Sequence, residues 1–263
     1  MKGVVAILGV VVSLAAVAGE LPTFAGPAMG TTYRVTLARN LPGRSQGEVH
    51  REIEAVLARL DRALSTWRDD SDATRFNRAP ADTWVGVSPD LVAIVVIARR
   101  IHDDTRGAFD LTAAAGAVAG MHLVEIREQP PALRKARDHV ALDLSGIGPG
   151  YAVDAIGERL VALGSTDHLV ELVGEVRAWG GRTVREPWRV ALRDTFAIVD
   201  LAPGEAAATS TARPGRSPID PRTGRIVAPQ SPSVTARAPT CAEADARAVA
   251  ALVSGEKPGA ETR

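Results

Sequence analysis

Apolar residues recur at helical spacing in four stretches of the chain and alternate with polar ones in several more. Val49, Ile53, Val56, Leu57, Leu60 and Leu64 form one stripe between Glu48 and Leu64, with the charges opposite, which predicts an amphipathic helix. A second helix is predicted from Leu91 to Arg100, opened by Ser88-Pro89 and closed near Gly107. Val153, Ile156, Leu160 and Leu163 predict a third, and the run from Ala242 to Ser254 a fourth. Alternation predicts strands at Thr31 to Leu37, with Tyr33, Val35 and Leu37 on one face, and at Ser233 to Ala238. Three more are expected at Leu169 to Val173, Pro187 to Leu192 and Phe196 to Ala202. Ser65 to Pro80 and Ala202 to Gly224 read as loops, and Ala113 to Gly120 is small and apolar without a period. Helices and strands alternate unevenly, with strands grouped in the second half, which points to one α+β unit.

The stretch from Ala141 to Leu160 carries the most chemistry. Leu142-Asp143-Leu144 alternates as a short strand, and Gly146, Gly148 and Gly150 precede the third helix. Such a junction brings bare main chain to a helix N-terminus, where free N–H groups and the helix dipole favour a phosphate. Asp143 and Asp154 bracket the turn, and either could orient a ligand or a metal. The structural alternative is an ordinary turn in which Pro149 starts the helix. A dinucleotide fingerprint is excluded, because Tyr151 stands where its third glycine is required.

Charge and the chain start narrow the function classes. Lys plus Arg equals Asp plus Glu at 31 each, so there is no basic excess of the kind a nucleic-acid-binding protein shows. Lys2 precedes an apolar run from Val4 to Ala18 that ends in Ala16-Val17-Ala18, a small-x-small cleavage pattern. Residues 1–18 are therefore expected to be a cleaved signal peptide or an uncleaved anchor. The protein would be periplasmic or otherwise exported, with membrane contact only through that segment, at the inner membrane. Cys241 is the single cysteine, so no intrachain disulfide forms.

Several short segments add candidates, each with a plain structural alternative. Met29-Gly30-Thr31 is a glycine step into the first strand. Trp67, in Ser65-Thr66-Trp67-Arg68, either stacks on a planar ring or anchors its loop. Asp110 follows Gly107-Ala108-Phe109 and either binds a ligand or caps the next segment. Ile219-Asp220-Pro221-Arg222-Thr223-Gly224 has the residues of a tight turn. Asp245 falls on the apolar stripe with Ala242, Val249 and Leu252, where a carboxylate needs a partner or a metal, unless it serves the helix dipole.

Taken together and in order, these segments resemble the FAD:protein FMN transferases, the ApbE family, from Met29 to about Gly255. The family shows a Met-Gly-Thr opening, a Ser-Thr-Tyr/Trp-Arg loop followed by Arg-Phe-Asn, and an Ala-Phe-Asp step. Leu-Asp-Leu-Gly-Gly-Ile-Ala-Lys-Gly-Tyr-Ala-Val-Asp comes next, then His-Ile-Ile-Asp-Pro-Arg-Thr-Gly and a late helix beginning Ala-Asp-Ala. The resemblance implies a single compact ApbE-like α+β domain over residues 19–255, with a twisted, mainly antiparallel sheet, packed helices and a polar tail at 256–263. It also implies a magnesium-dependent enzyme that moves FMN from FAD to a Thr or Ser hydroxyl of an acceptor flavoprotein, releasing AMP. Met29, Trp67, Ala108, Phe109, Asp110, Asp143 and Ile219 would then line the FAD site. The carbonyl of Gly146 and the carboxylate of Asp245 would hold magnesium.

The chain departs from the family pattern at consequential places. Pro149 replaces the family lysine, Ser217 the histidine before Ile-Ile-Asp, and Val249 a threonine that is a further magnesium ligand. Val173-Gly174-Glu175 stands where the family has Gly-Gly-Asp. A serine of ordinary pKa cannot replace a general base, so Asp220 or Glu175 is the expected substitute. The alternatives to the transferase are a catalytically impaired flavin-binding member and an FAD pyrophosphatase.

Overall fold

A computed structural model describes residues 21–113, 119–192, 197–215, 217–228 and 233–255. The expected signal segment and the polar tail at 256–263 lie outside the described residues, as does most of 113–120. Along the chain, β1 (Thr23–Ala28) and β2 (Thr31–Leu37) form a hairpin, followed by α1 (Gln46–Leu64), α2 (Asp72–Arg78), β3 (Val85–Gly86) and α3 (Pro89–Asp104). Next come β4 (Val124–Arg127), β5 (Ala132–Lys135), α4 (Gly148–Ala162), β6 (His168–Leu172) and β7 (Glu175–Trp179). β8 (Trp188–Ala191), β9 (Ile198–Leu201), β10 (Ala206–Ser210), β11 (Ile219–Asp220), β12 (Arg225–Ile226), β13 (Val234–Ala238) and α5 (Cys241–Ser254) complete it.

Six strands form the main sheet in the order β1-β2-β6-β7-β10-β13, every neighbour antiparallel. Its two faces are covered differently. Tyr33, Val35, Val170, Leu172, Ala206 and Ala208 point to the helices, where α1, α3, α4 and α5 supply Leu60, Ile94, Ile156 and Ala246 to one core. Leu169, Val176, Ala178 and Ala207 point to the other face and are covered by Trp188, Val190 and Leu201 of the β8–β9 hairpin. This alternation is the period-2 rule of strands buried on both faces. No described helix is long and apolar enough to cross a membrane.

The four helices expected from the sequence all form, and three of them begin at a side-chain cap. Ser45 and Glu48 make a reciprocal capping box for α1, Ser88 caps α3, and Thr240 caps α5. α4 starts at Gly148, and Pro149, its second residue, sits in the first turn. Some elements escaped the pattern. Met29 and Gly30 lie at φ 48° and 75°, forming a two-residue hairpin turn between Ala28 and Thr31, so a strand precedes the expected first one. α2 occupies part of the expected loop at 65–80, and β10 part of the one at 202–224. The β3-β5-β4 sheet also lacked a sequence signal. The β6–β7 turn carries Val173 at φ 62°, a conformation unfavourable for a β-branched residue.

Leu142-Asp143-Leu144 is not a strand. Its partner is a side chain: the Asn77 amide accepts from the Leu142 N–H at 2.7 Å and donates to the Leu142 carbonyl at 3.0 Å. Asn77 thus supplies to one residue what a neighbouring strand would supply to a row. The buried Lys135 ammonium donates to the carbonyls of Asn77, Asp138 and Val140 at 2.8, 3.1 and 2.9 Å. Burial holds this lysine below its ordinary pKa. The pair ties the end of α2 to the approach of the glycine turn.

Candidate functional site

The turn after α3 builds one wall of a cleft. α3 ends at Asp104 with Thr105 as its C-cap, and after Gly107, at φ 76°, the chain presents Ala108, Phe109 and Asp110. Oδ1 of the buried Asp110 accepts from the backbone N–H and the hydroxyl of Thr112, both at 2.7 Å. Oδ2 accepts from the Met121 N–H at 3.3 Å. The facing wall begins at Asp143, whose N–H donates to the Leu111 carbonyl at 2.7 Å and whose Oδ1 accepts from Ser145 N–H at 2.8 Å. That Asx turn delivers the chain to Gly146, where a Cβ would lie 3.1 Å from Cγ2 of Val249 and 3.5 Å from Cε2 of Phe109. Glycine lets α5, the turn and Phe109 meet.

The cleft has a volume of ≈ 100 Å³. It is lined by Ala108, Phe109, Asp110, Ala113, Asp143, Ser145, Gly146, Pro218, Ile219, Pro221 and Val249. Six of the residues expected at the FAD site or the metal are therefore brought together from three separated segments: Ala108, Phe109, Asp110, Asp143, Gly146 and Ile219. Ser145, Pro218 and Pro221 were not singled out, although each flanks a residue that was. Their signal was adjacency within the motifs.

Five expected residues lie outside the lining: Met29, Trp67, Asp220, Glu175 and Asp245. Met29 is at the tip of the β1–β2 hairpin and 38% exposed, and Trp67, between α1 and α2, is 95% exposed. Trp67 does not anchor its loop in the core. Asp220 adjoins the cleft, but Arg222 grips it through its backbone N–H, Nε and Nη2 at 2.9, 2.9 and 3.0 Å. The Arg222 hydrogen bonds hold its carboxyl below the usual range, so Asp220 is a poor base. Ser217 donates its hydroxyl to the Arg213 carbonyl at 3.0 Å. Glu175, the other expected substitute, is buried at the start of β7.

Asp245 lies deeper, beneath the first turn of α4, and accepts from the Gly150 N–H at 3.2 Å. The other α4 acid has a separate task. Asp154 accepts from the N–H groups of Cys241 and Ala242, both at 2.9 Å, and from Arg177 at 2.7 Å. Asp154 is thus an interhelical cap for α5, with its carboxylate fully engaged. The donors expected for a phosphate at α4 are largely engaged too. Ile147 and Gly148 N–H groups bond Leu144, Gly150 bonds Asp245, Tyr151 bonds Ile147, and Pro149 has none.

Magnesium can be tested against this donor set. Burial, and then the charge of Glu175, push the Asp245 carboxyl well above its ordinary pKa. An adjacent divalent cation reverses that tendency, and carboxylate and carbonyl oxygens are the ligands a hard cation takes. The Asp245 carboxylate and the Gly146 carbonyl are oxygen donors of the kind magnesium takes, but Asp245 lies outside the cleft that Gly146 lines. Val249 offers a methyl where an oxygen ligand would help. Among the described residues, no three His, Cys, Asp or Glu side chains gather as a metal site.

Comparisons with known proteins agree with this assembly of segments. The profile of the ApbE family matches residues 29–119 and 113–262. The chain belongs to the ApbE family. Among ApbE relatives, the FAD:protein FMN transferase of Klebsiella pneumoniae is 31% identical, covering 88% of this chain and 77% of the relative. That of Haemophilus influenzae is 28% identical over 97% of this chain and 87% of its own. The apo flavinyl transferase ApbE of Pseudomonas stutzeri matches with a TM-score of 0.79 at 32% identity, covering 89% of this chain and 84% of that one. A histidine-to-glycine mutant of the Vibrio cholerae flavin transferase ApbE matches at 0.80 and 29% identity, covering 89% and 87%. The mixed helix and antiparallel sheet architecture is the ApbE fold.

Proposed function

We propose that this protein is an FAD:protein FMN transferase that moves FMN from FAD to a Thr or Ser hydroxyl of an acceptor flavoprotein and releases AMP. The carrying observation is that six motif residues from three separated segments line one cleft. A volume of ≈ 100 Å³ is below the roughly 300 Å³ of common small-molecule pockets, so the cleft suits the diphosphate rather than the whole dinucleotide. Met29 and Trp67, exposed outside it, are the residues assigned to the remainder, Trp67 by stacking. Asp143 and Asp110 orient the ligand from opposite walls, and Phe109 excludes water between them. Magnesium, held by Asp245 and the Gly146 carbonyl, would neutralise phosphate charge. The apolar run at 4–18, with Lys2 before it, supports export.

Ser217 and Val249 favour a second reading, in which FAD is bound without turnover. Incubating the purified protein with FAD, magnesium and an acceptor domain bearing an exposed Thr separates the readings. AMP together with covalent flavin fluorescence on the acceptor is expected. AMP without labelling indicates the pyrophosphatase, whereas bound FAD without AMP removes both enzymatic readings. A further expectation concerns the metal. Asp245→Asn keeps the shape of the buried side chain and should weaken magnesium-dependent FAD binding by on the order of tenfold or more. Unchanged affinity in a titration at fixed magnesium would remove Asp245 from the site.

A further inference from the structure

His102, in the last turn of α3, stands behind the cleft wall formed by Phe109 and Asp110. Its Nδ1 is 3.0 Å from the Phe109 carbonyl oxygen and 3.3 Å from Oδ2 of Asp110. A carbonyl only accepts, and Asp110 already accepts from Thr112 and Met121, so the proton of the neutral ring belongs on Nδ1. That tautomer leaves Nε2 with its lone pair. The outer edge of the ring lies beneath Gly107, where a Cβ would sit 3.9 Å from Nε2, 3.5 Å from Cε1 and 3.7 Å from Cγ of Arg222. Arg222 follows Pro221, a residue of the cleft lining, so this edge of the ring lies beside the cleft. The imidazole side chain is 27% exposed.

An imidazole oriented through Nδ1 by the Phe109 carbonyl, with the Asp110 carboxylate 3.3 Å from the same nitrogen, has its other nitrogen free to act as a general base. Asp220 is gripped by Arg222, and Ser217 has no basic group. We propose that His102 is the general base for the acceptor hydroxyl, taking the place of the family histidine that Ser217 lacks. The inference rests on the transferase reading. The acceptor oxygen bonds to the phosphorus of the FMN moiety as the P–O bond to the AMP moiety breaks. The hydroxyl proton passes to Nε2 of His102, and AMP leaves with the electron pair of the broken bond.

Single-turnover transfer from FAD to the acceptor domain, with magnesium present, tests the role in the full-length protein. His102→Asn keeps a donor for the Phe109 carbonyl but has no base. Its transfer rate should fall by on the order of a hundredfold or more, with FAD affinity and melting temperature as in the wild type. In His102→Ala, added imidazole should restore part of the lost rate, which a purely structural role would not allow. A His102→Asn rate within a few-fold of wild type overturns the proposal, as does a His102→Ala deficit that imidazole leaves unchanged. If the wild-type protein binds FAD but transfers nothing, the transferase reading itself fails and takes this role with it.

Discussion

Gly150→Ala is expected to destabilise the fold by about 3 kcal/mol or more, enough to lower the melting temperature by several degrees. A Cβ at this position would lie 2.4 Å from the Cys241 carbonyl oxygen, 2.7 Å from its carbon and 2.9 Å from Cα of Ala242. All three atoms are backbone, so no rotamer relieves the contact. The first turn of α5 cannot retreat cheaply either. It is bound to Asp154 through the Cys241 and Ala242 N–H groups, and Asp245 is bound to the Gly150 N–H. Any shift that accommodates the methyl loosens these buried bonds, each of which costs about 1–3 kcal/mol when left unmade. Gly148→Ala is the control. Its Cβ would meet only Cβ of Leu144, at 3.8 Å, an ordinary contact. Thermal denaturation of the two variants should separate them clearly; equal melting temperatures would show that α4 and α5 do not touch so closely.

Asp154→Ala is expected to cost about 3–5 kcal/mol, the range for breaking a buried ion pair by removing one partner. Arg177, with a side chain only 15% exposed, would lose its carboxylate. Its Nε already has no hydrogen-bond partner among the described residues, and its guanidinium lies 4.5 Å from the Trp179 ring centroid, which cannot replace a full negative charge. The N–H groups of Cys241 and Ala242 would be stranded as well. Asp154→Asn retains an acceptor and removes a charge that burial already disfavours, so it should be milder. Urea denaturation that places Asp154→Ala within 1 kcal/mol of wild type would rule out the interhelical cap.

Four helices were legible from their one-sided stripes, as in Val49 to Leu64 behind the Ser45 cap, whereas the seven-residue α2, though capped by Ser71, is too short to show one. β10 was not, because Ala206, Ala207 and Ala208 lack strand-forming side chains. Small residues there let α5 pack close on one face and the β8–β9 hairpin cover the other. Leu142 to Leu144 misled for the opposite reason, since its alternation is genuine but Asn77 is its partner. The cleft residues Ala108 to Asp110, Asp143, Gly146 and Ile219 followed from motif order. Asp245 shared that legibility as a motif residue, but its depth beneath α4 depends on how two helices cross. His102 carried no signal, because its neighbours Phe109 and Asp110 reach it only through the Gly107 turn.

The last helix belongs to two structures at once. Its first turn is clamped by α4 through Asp154, and Val249 in its third turn forms part of the cleft wall. Occupancy of the cleft and docking of α5 are therefore linked equilibria, because undocking the helix dismantles the wall. Slowed amide exchange along Cys241–Ser254 becomes a built-in gauge of whether a ligand is seated, readable without a chromophore or turnover.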